Sequence, residues 1–142
     1  MTPAIEQLTT RAEGQTFDRK SIRIADKDLA VIMIAFANAD GGDIAIGISD
    51  DGKIEGIDDH ESHLNELLRV PFDFCQPSVK VTSERISFTT EDGAADHVLL
   101  MHVEQSRRVH ANQKDEVYYR VGDKSKKLTF DERLQLNAIY IN

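Results

Sequence analysis

An α+β domain is what this sequence predicts: a mixed β-sheet with hairpins, packed against a buried central helix and flanking helices. Three observations lead there. Residues 29–37 (Leu-Ala-Val-Ile-Met-Ile-Ala-Phe-Ala) are apolar on nearly every side, which suits a helix covered all round. Ile44-Ala45-Ile46-Gly47-Ile48 is a continuous apolar run between Gly41-Gly42 and Asp50-Asp51-Gly52, which suits a strand with both faces covered. Asp51-Gly52 and Glu91-Asp92-Gly93 are turn signals between apolar segments, so hairpins interrupt any regular βαβ order.

Taken in order, Thr2-Pro3 starts a first helix, with Thr2 as cap and Pro3 in the first turn. Ile5, Leu8 and Ala12 share its inner face and Gly14 ends it. A short strand follows around residues 16–20. Asp26 or Asp28 caps the central helix, and Asn38 with Gly41-Gly42 terminates it. The strand 44–48 turns at Asp51-Gly52 and returns through 53–57. Asp58-Asp59 caps a helix from about His60 to Leu68, with Leu64, Leu67 and Leu68 inward. Pro71 and Pro77 bracket a transition containing Phe72, Phe74 and Cys75. Val79, Val81, Ile86 and Phe88 mark a strand, and His97 to Val103 its partner. Residues 105–114 read as a loop, and Val117-Tyr118-Tyr119 as a strand ending at Gly122. Thr129-Phe130-Asp131-Glu132 is a capping box that opens a last helix bearing Leu134, Leu136 and Ile139.

Composition bounds the function. A chain of 142 residues, 40% hydrophobic and 30% charged, is expected to be one soluble domain over 1–142 with a real core. No apolar run approaches the ~20 residues of a membrane helix, and no basic start followed by an apolar stretch marks a signal peptide. A single cysteine, Cys75, excludes an internal disulfide, so the cytoplasm is the expected compartment. The net charge of −8 argues against a binder held to nucleic acid by overall charge alone. The charge is nevertheless uneven. Arg107, Arg108, Lys114, Arg120, Lys124, Lys126, Lys127 and Arg133 lie in one stretch, with Asp115, Glu116, Asp123, Asp131 and Glu132 among them, whereas 40–66 is strongly acidic. Such a strip steers a polyanion to one place, or is simply solvated surface.

Candidate chemistry begins with carboxylates. Glu13 and Asp18 flank the first strand, and Asp50 and Asp51 cap the second. Hard divalent cations take carboxylate oxygens converging from separate elements, and a cation so held activates water. Among 25 acidic residues, spacing alone singles out no trio, and turn chemistry accounts equally for Asp50-Asp51. Gly41-Gly42 and Gly47 lack the Gly-Lys-Ser/Thr of a phosphate loop and do not open a helix. Gly47 instead suits a close approach of neighbouring atoms. The five histidines show no zinc spacing, although His60 and His63 share a helix face. Cys75 is read as a small buried hydrophobe. Tyr118 and Tyr119 point to opposite sides of a strand, so one faces the core and Tyr119 is a candidate to stack on a base.

Three segments carry a family resemblance. They are Glu13-x4-Asp18-Arg19-Lys20, then Ile34-Ala35-Phe36-Ala37-Asn38-Ala39-Asp40-Gly41-Gly42, then Ile44 through Asp50-Asp51-Gly52-Lys53-Ile54-x-Gly56-Ile57. Together they resemble the Schlafen-type AlbA domain, which also occurs in bacterial and archaeal proteins described as DNA-binding, RecG-helicase-like or ATP-binding transcriptional regulators. Tyr118-Tyr119-Arg120-Val121-Gly122 looks like the family's closing strand, so the resemblance spans about 10–136. It implies an α/β domain with a nucleic-acid-related role.

Schlafen nucleases cut structured RNA such as transfer RNA at a three-carboxylate, divalent-metal site. Their Glu-x4-Glu-x-Lys motif looks like Glu13, Asp18 and Lys20, and their third acid falls at Asp50. Asp18 departs from the pattern, being one methylene shorter than Glu, and the zinc ligands of the animal proteins have no counterpart. Those proteins pair two lobes, so a homodimer would supply the second here.

The expectation is therefore a nucleic-acid-binding domain for RNA or DNA, regulatory in role. Its interface residues are Arg107, Arg108, Lys114, Tyr119, Arg120, Lys124, Lys126 and Lys127. The alternative is an endoribonuclease in which Glu13, Asp18 and Asp50 hold Mg²⁺ or Mn²⁺ and Lys20 steadies phosphate charge. A third reading is an ATP-binding module, against which the absent phosphate loop counts.

Overall fold

A computed structural model describes residues 4–141. The expected Thr2-Pro3 helix start lies outside them. The fold is α+β. A four-stranded mixed sheet has the order β1-β2-β4-β3, and a separate two-stranded ribbon pairs β5 with β6. Here β1 is Phe17–Lys20, β2 Gly42–Ile46, β3 Val81–Thr89, β4 Ala95–Val103, β5 Tyr118–Val121 and β6 Lys124–Lys127. The helices are α1 (Ile5–Thr10), α2 (Asp26–Asn38), α3 (Glu61–Asp73) and α4 (Phe130–Ile141). β1 runs parallel to β2, with Asp18 opposite Ile44, and the other pairings are antiparallel. No helix among the described residues is long and apolar enough to cross a membrane.

Side chains alternate across strands, so each strand feeds two cores. Ile44, Ile46, Leu99, Met101 and Val103 pack on one face against Leu29, Met33 and Phe36 of α2 and Leu64, Leu67 and Val70 of α3. Ala45, Ile86, Val98 and Leu100 pack on the other face with Phe17 and with Leu8 of α1. Helix α2 is covered as its sequence demands, because the ribbon β5–β6 closes over the side that the main sheet leaves open. Phe36 is fully buried between them, and truncation to alanine there costs about 3–5 kcal/mol.

Local chemistry explains where sequence and structure part. α2 begins at Asp26 with Ala25 as its cap residue, so Asp26 and Asp28 stand in the first turn without bonding its end. Their charge there favours the positive end of the helix dipole. Helix α3 runs to Asp73, through Pro71. The 310 turn Asp58–His60 precedes it, which takes His60 off the helix face expected to hold both histidines. Ala12 is exposed, beyond the end of α1.

The return after Asp51-Gly52 is a single bridge, Ile48 to Ile54, instead of a strand. Gly47 is the reason. Its φ of +107° breaks the strand, and a Cβ there would stand 3.0 Å from Ile57 Cγ2. Past that break Ile48 faces the α1 core while Ile46 faces the α2 core. The capping box is present. Glu132 N–H donates to Thr129 Oγ1 at 3.2 Å and Thr129 N–H to Glu132 Oε1 at 2.9 Å. On α4, Leu136 is buried whereas Leu134 and Ile139 are exposed.

Candidate nucleic-acid interface and carboxylate cluster

Strand β1 builds the carboxylate cluster. Phe17 and Arg19 point toward α1, where the Arg19 guanidinium donates to the carbonyls of Leu8 (3.1 Å) and Arg11. Asp18 and Lys20 alternate to the α2 side. The loop after α1 brings Glu13 back beside them, and its Oε2 accepts the Arg19 N–H at 3.0 Å. The structure thus brings together Glu13, Asp18 and Lys20, with Lys20 Nζ 3.6 Å from Asp18 Oδ1. Asp18 is 4% exposed. Burial and the neighbouring Glu13 push its carboxyl up to about 6, against the pull of Arg120 and Lys20. Glu13 moves the other way, held below its ordinary value chiefly by its hydrogen bond with Asp18.

Arg120 is the partner that spacing could not show. It is 1% exposed and makes five hydrogen bonds. Its Nη1 donates to Asp18 Oδ2 at 2.9 Å and Ser125 Oγ at 3.2 Å. Nε donates to the carbonyls of Gly14 and Gly122, and Nη2 to that of Phe17. The guanidinium lies 4.7 Å from the centre of the Phe36 ring. Arg120 was expected to contact phosphates. Its donors are instead spent inside the protein, fastening the ribbon to β1.

Asp50 stands apart. It is exposed on the turn after β2 and makes no hydrogen bond or ion pair among the described residues. Its neighbour Asp51 shapes that turn, accepting from Ser49 Oγ and from Lys53 N–H at 3.2 Å. Glu13, Asp18 and Asp50 are not among the groups of described residues whose ligand atoms lie within 4.8 Å of one another. One oxygen of Asp18 is held by Arg120, and an ammonium stands near the other. Asp18 Oδ1 is buried without a hydrogen-bond partner among the described residues, but the three carboxylates do not converge as arranged, and a hard divalent cation takes convergent oxygens.

The cationic strip divides in two. Lys126 and Lys127 are neutralised, by Glu132 at 2.6 Å and Glu116 at 2.7 Å. Glu116 is held down to about 2 by Asn112 and then Lys127. Tyr119 packs partly buried against the cluster of Ala111, Val117 and Leu136 beneath α4. Arg107, Arg108, Lys114 and Lys124 are exposed and have no acidic partner among the described residues.

The loop that carries Arg107 and Arg108 is anchored by the end of α2. Ser106 N–H donates to Ala37 O at 2.8 Å, and Gln105 Nε2 to Ala39 O at 2.9 Å. Buried Asn38 accepts from His110 N–H and donates to the carbonyls of His110 and Tyr118. Asn38 was read only as a helix stop; a polar residue ending an otherwise apolar helix was the signal of this role. A cavity of about 270 Å³ opens nearby, lined by Lys27, Phe74, Lys114 and Tyr118.

The sequence model of the family described as "Schlafen, AlbA_2" matches residues 13–129. The crystal structure of the DIP2311 protein from Corynebacterium diphtheriae is similar in fold, with a TM-score of 0.60 and 22% identity. That similarity covers 87% of this chain and 28% of that one, so this chain spans just over a quarter of its length. No curated protein matches the sequence.

Proposed function

The chain belongs to the Schlafen AlbA_2 family, and on that premise we propose that it binds nucleic acid through the anchored loop of Arg107 and Arg108, with Lys114 and Lys124 extending the contact. The family supports a nucleic-acid-related role. The observation that carries the finer reading is that these four exposed cations have no acidic partner among the described residues, in a chain of net charge −8. Unpaired cations release counterions when they meet phosphates, whereas Lys126 and Lys127 must first give up Glu132 and Glu116. The loop is held by α2, so little ordering cost is left for binding. Phe74 and Tyr118 beside Lys27 and Lys114 offer an aromatic wall on which a base can stack.

Fluorescence anisotropy with labelled RNA and duplex DNA, titrated at several salt concentrations, tests this. Saturable binding is expected at ~50 mM salt and is lost steeply as salt rises. Replacing Arg107 and Arg108 together with alanine should lower the slope of log K against log salt by about 2, roughly one per phosphate contact. Replacing Lys126 and Lys127 should change it less. Absence of binding at low salt defeats the reading, as does a slope that ignores the double variant. Incubation of transfer RNA with Mn²⁺ separates binding from cleavage. Intact RNA is expected, and cleavage by the wild type but not by Asp50→Ala would establish the nuclease reading instead.

A further inference from the structure

Asp26, in the first turn of α2, meets His63 and Glu66 of α3. One ligand atom from each lies within 4.8 Å of the others. His63 Nε2 is 2.7 Å from the carbonyl of Ile24. A carbonyl only accepts, so Nε2 carries the proton, and in the neutral ring Nδ1 holds a lone pair. That lone pair lies 3.3 Å from Glu66 Oε2, which can also only accept when ionised. Asp26 adds a buried oxygen, Oδ1, that no donor reaches. Three acceptor side chains thus cluster with no Lys or Arg paired to them among the described residues. A proton on Nδ1 would serve His63 and Glu66 and leave Asp26 Oδ1 buried and unpaired, a cost of about 1–3 kcal/mol. A divalent cation serves all three.

We propose that Asp26, His63 and Glu66 bind a borderline divalent transition metal, Zn²⁺ above all, clamping the start of α2 to α3. One imidazole nitrogen with two carboxylates suits Zn²⁺ and leaves a fourth position for water. The contact from His63 to the Ile24 carbonyl is the outer-shell bond that orients a metal-bound histidine. Cations can enter, because the His63 and Glu66 side chains are 31% and 47% exposed. Cys75 does not compete, since burial pushes its thiol up to about 12.

Untagged, EDTA-treated protein titrated with Zn²⁺ by calorimetry, and with Co²⁺ by visible absorption, tests the assignment. One equivalent should bind, the melting temperature should rise, and Mg²⁺ should do neither. His63→Gln and Asp26→Asn should each weaken binding by more than about tenfold. His97→Gln, at the Asp58–Asp96–His97 group, where Asp96 Oδ1 already accepts three backbone N–H groups, should leave it unchanged. No stoichiometric Zn²⁺ binding, wild-type affinity in His63→Gln, or loss of binding in His97→Gln overturns the proposal.

Discussion

The Glu13–Asp18 cluster and the Asp26–His63–Glu66 cluster use the same kinds of group and stand in opposite charge balance. The first encloses its own cations. Arg120 holds one oxygen of Asp18, Lys20 stands near the other, and Glu13 is occupied by a backbone amide. The second has acceptors on every side and a solvent-open entrance. Each cluster keeps one buried carboxylate oxygen without a hydrogen-bond partner, Asp18 Oδ1 and Asp26 Oδ1, so the contrast lies in the cations: a carboxylate group balanced by internal cations fastens a fold, and one without them is open to a cation from outside. The family motif lies in the first cluster, so motif position alone pointed to the more self-sufficient of the two.

Removing the internal cation should have the largest effect. Arg120→Met leaves Asp18 buried and strips donors from Gly14, Phe17 and Gly122, so urea denaturation should show a loss of about 3–5 kcal/mol. Adding Asp18→Leu to that variant should recover part of the loss. If Arg120→Met costs under about 1 kcal/mol, the contrast between the clusters fails.

The pH dependence is next. Asp18, at about 6 in the fold against an ordinary 3.8, favours the folded state while protonated. Its contribution is complete below pH 3.8 and lost as pH rises through about 6. Glu13, held below its ordinary 4.5, contributes stability above that pH and loses it as pH falls through its lowered value. Urea midpoints measured between pH 4 and 6 should therefore carry a declining Asp18 component with rising pH, absent in Asp18→Asn. Equal profiles for the two proteins would break the account.

The smallest effects should come from the second cluster and the surface. In metal-free protein His63→Ala, and separately Lys126→Ala, should each cost less than about 1 kcal/mol, as exposed pairs do. A large loss from His63→Ala without metal would make that group another internal fastening.

Much of the fold was legible because periodicity reports burial. The apolar run of α2 and the β3–β4 hairpin lie where their patterns placed them, and β2 does so up to Ile46, with Gly47 and Ile48 outside the strand. Ribbon strand β6, Lys124–Lys127, carries no apolar residue and so showed no strand pattern. The break at Gly47 depends on how closely Ile57 packs, which neighbours in sequence do not reveal. Of the candidate site, Arg107, Arg108, Lys114 and Lys124 were legible as charge. Which lysines are neutralised depends on Glu116 and Glu132 arriving from elsewhere in the fold. Arg120 looked like its basic neighbours because its 102-residue reach to Asp18 exists only after folding.

The bonds around Glu13 and Arg120 also govern how this sheet meets other chains. β1 is an outermost strand, and Phe17 O and Arg19 N face away from β2, as templates for a foreign strand. Both are occupied, Phe17 O by Gly14 N–H and Arg120, and Arg19 N by the Glu13 carboxylate. Two of the outward groups on that margin are thus already spent, which weakens it as a template for intermolecular pairing. The opposite margin, the nine-residue β3, has no strand on its outer side among the described residues. Growth of the sheet by strand addition is therefore favoured at β3, and loss of Glu13 or Arg120 would free the occupied groups of β1.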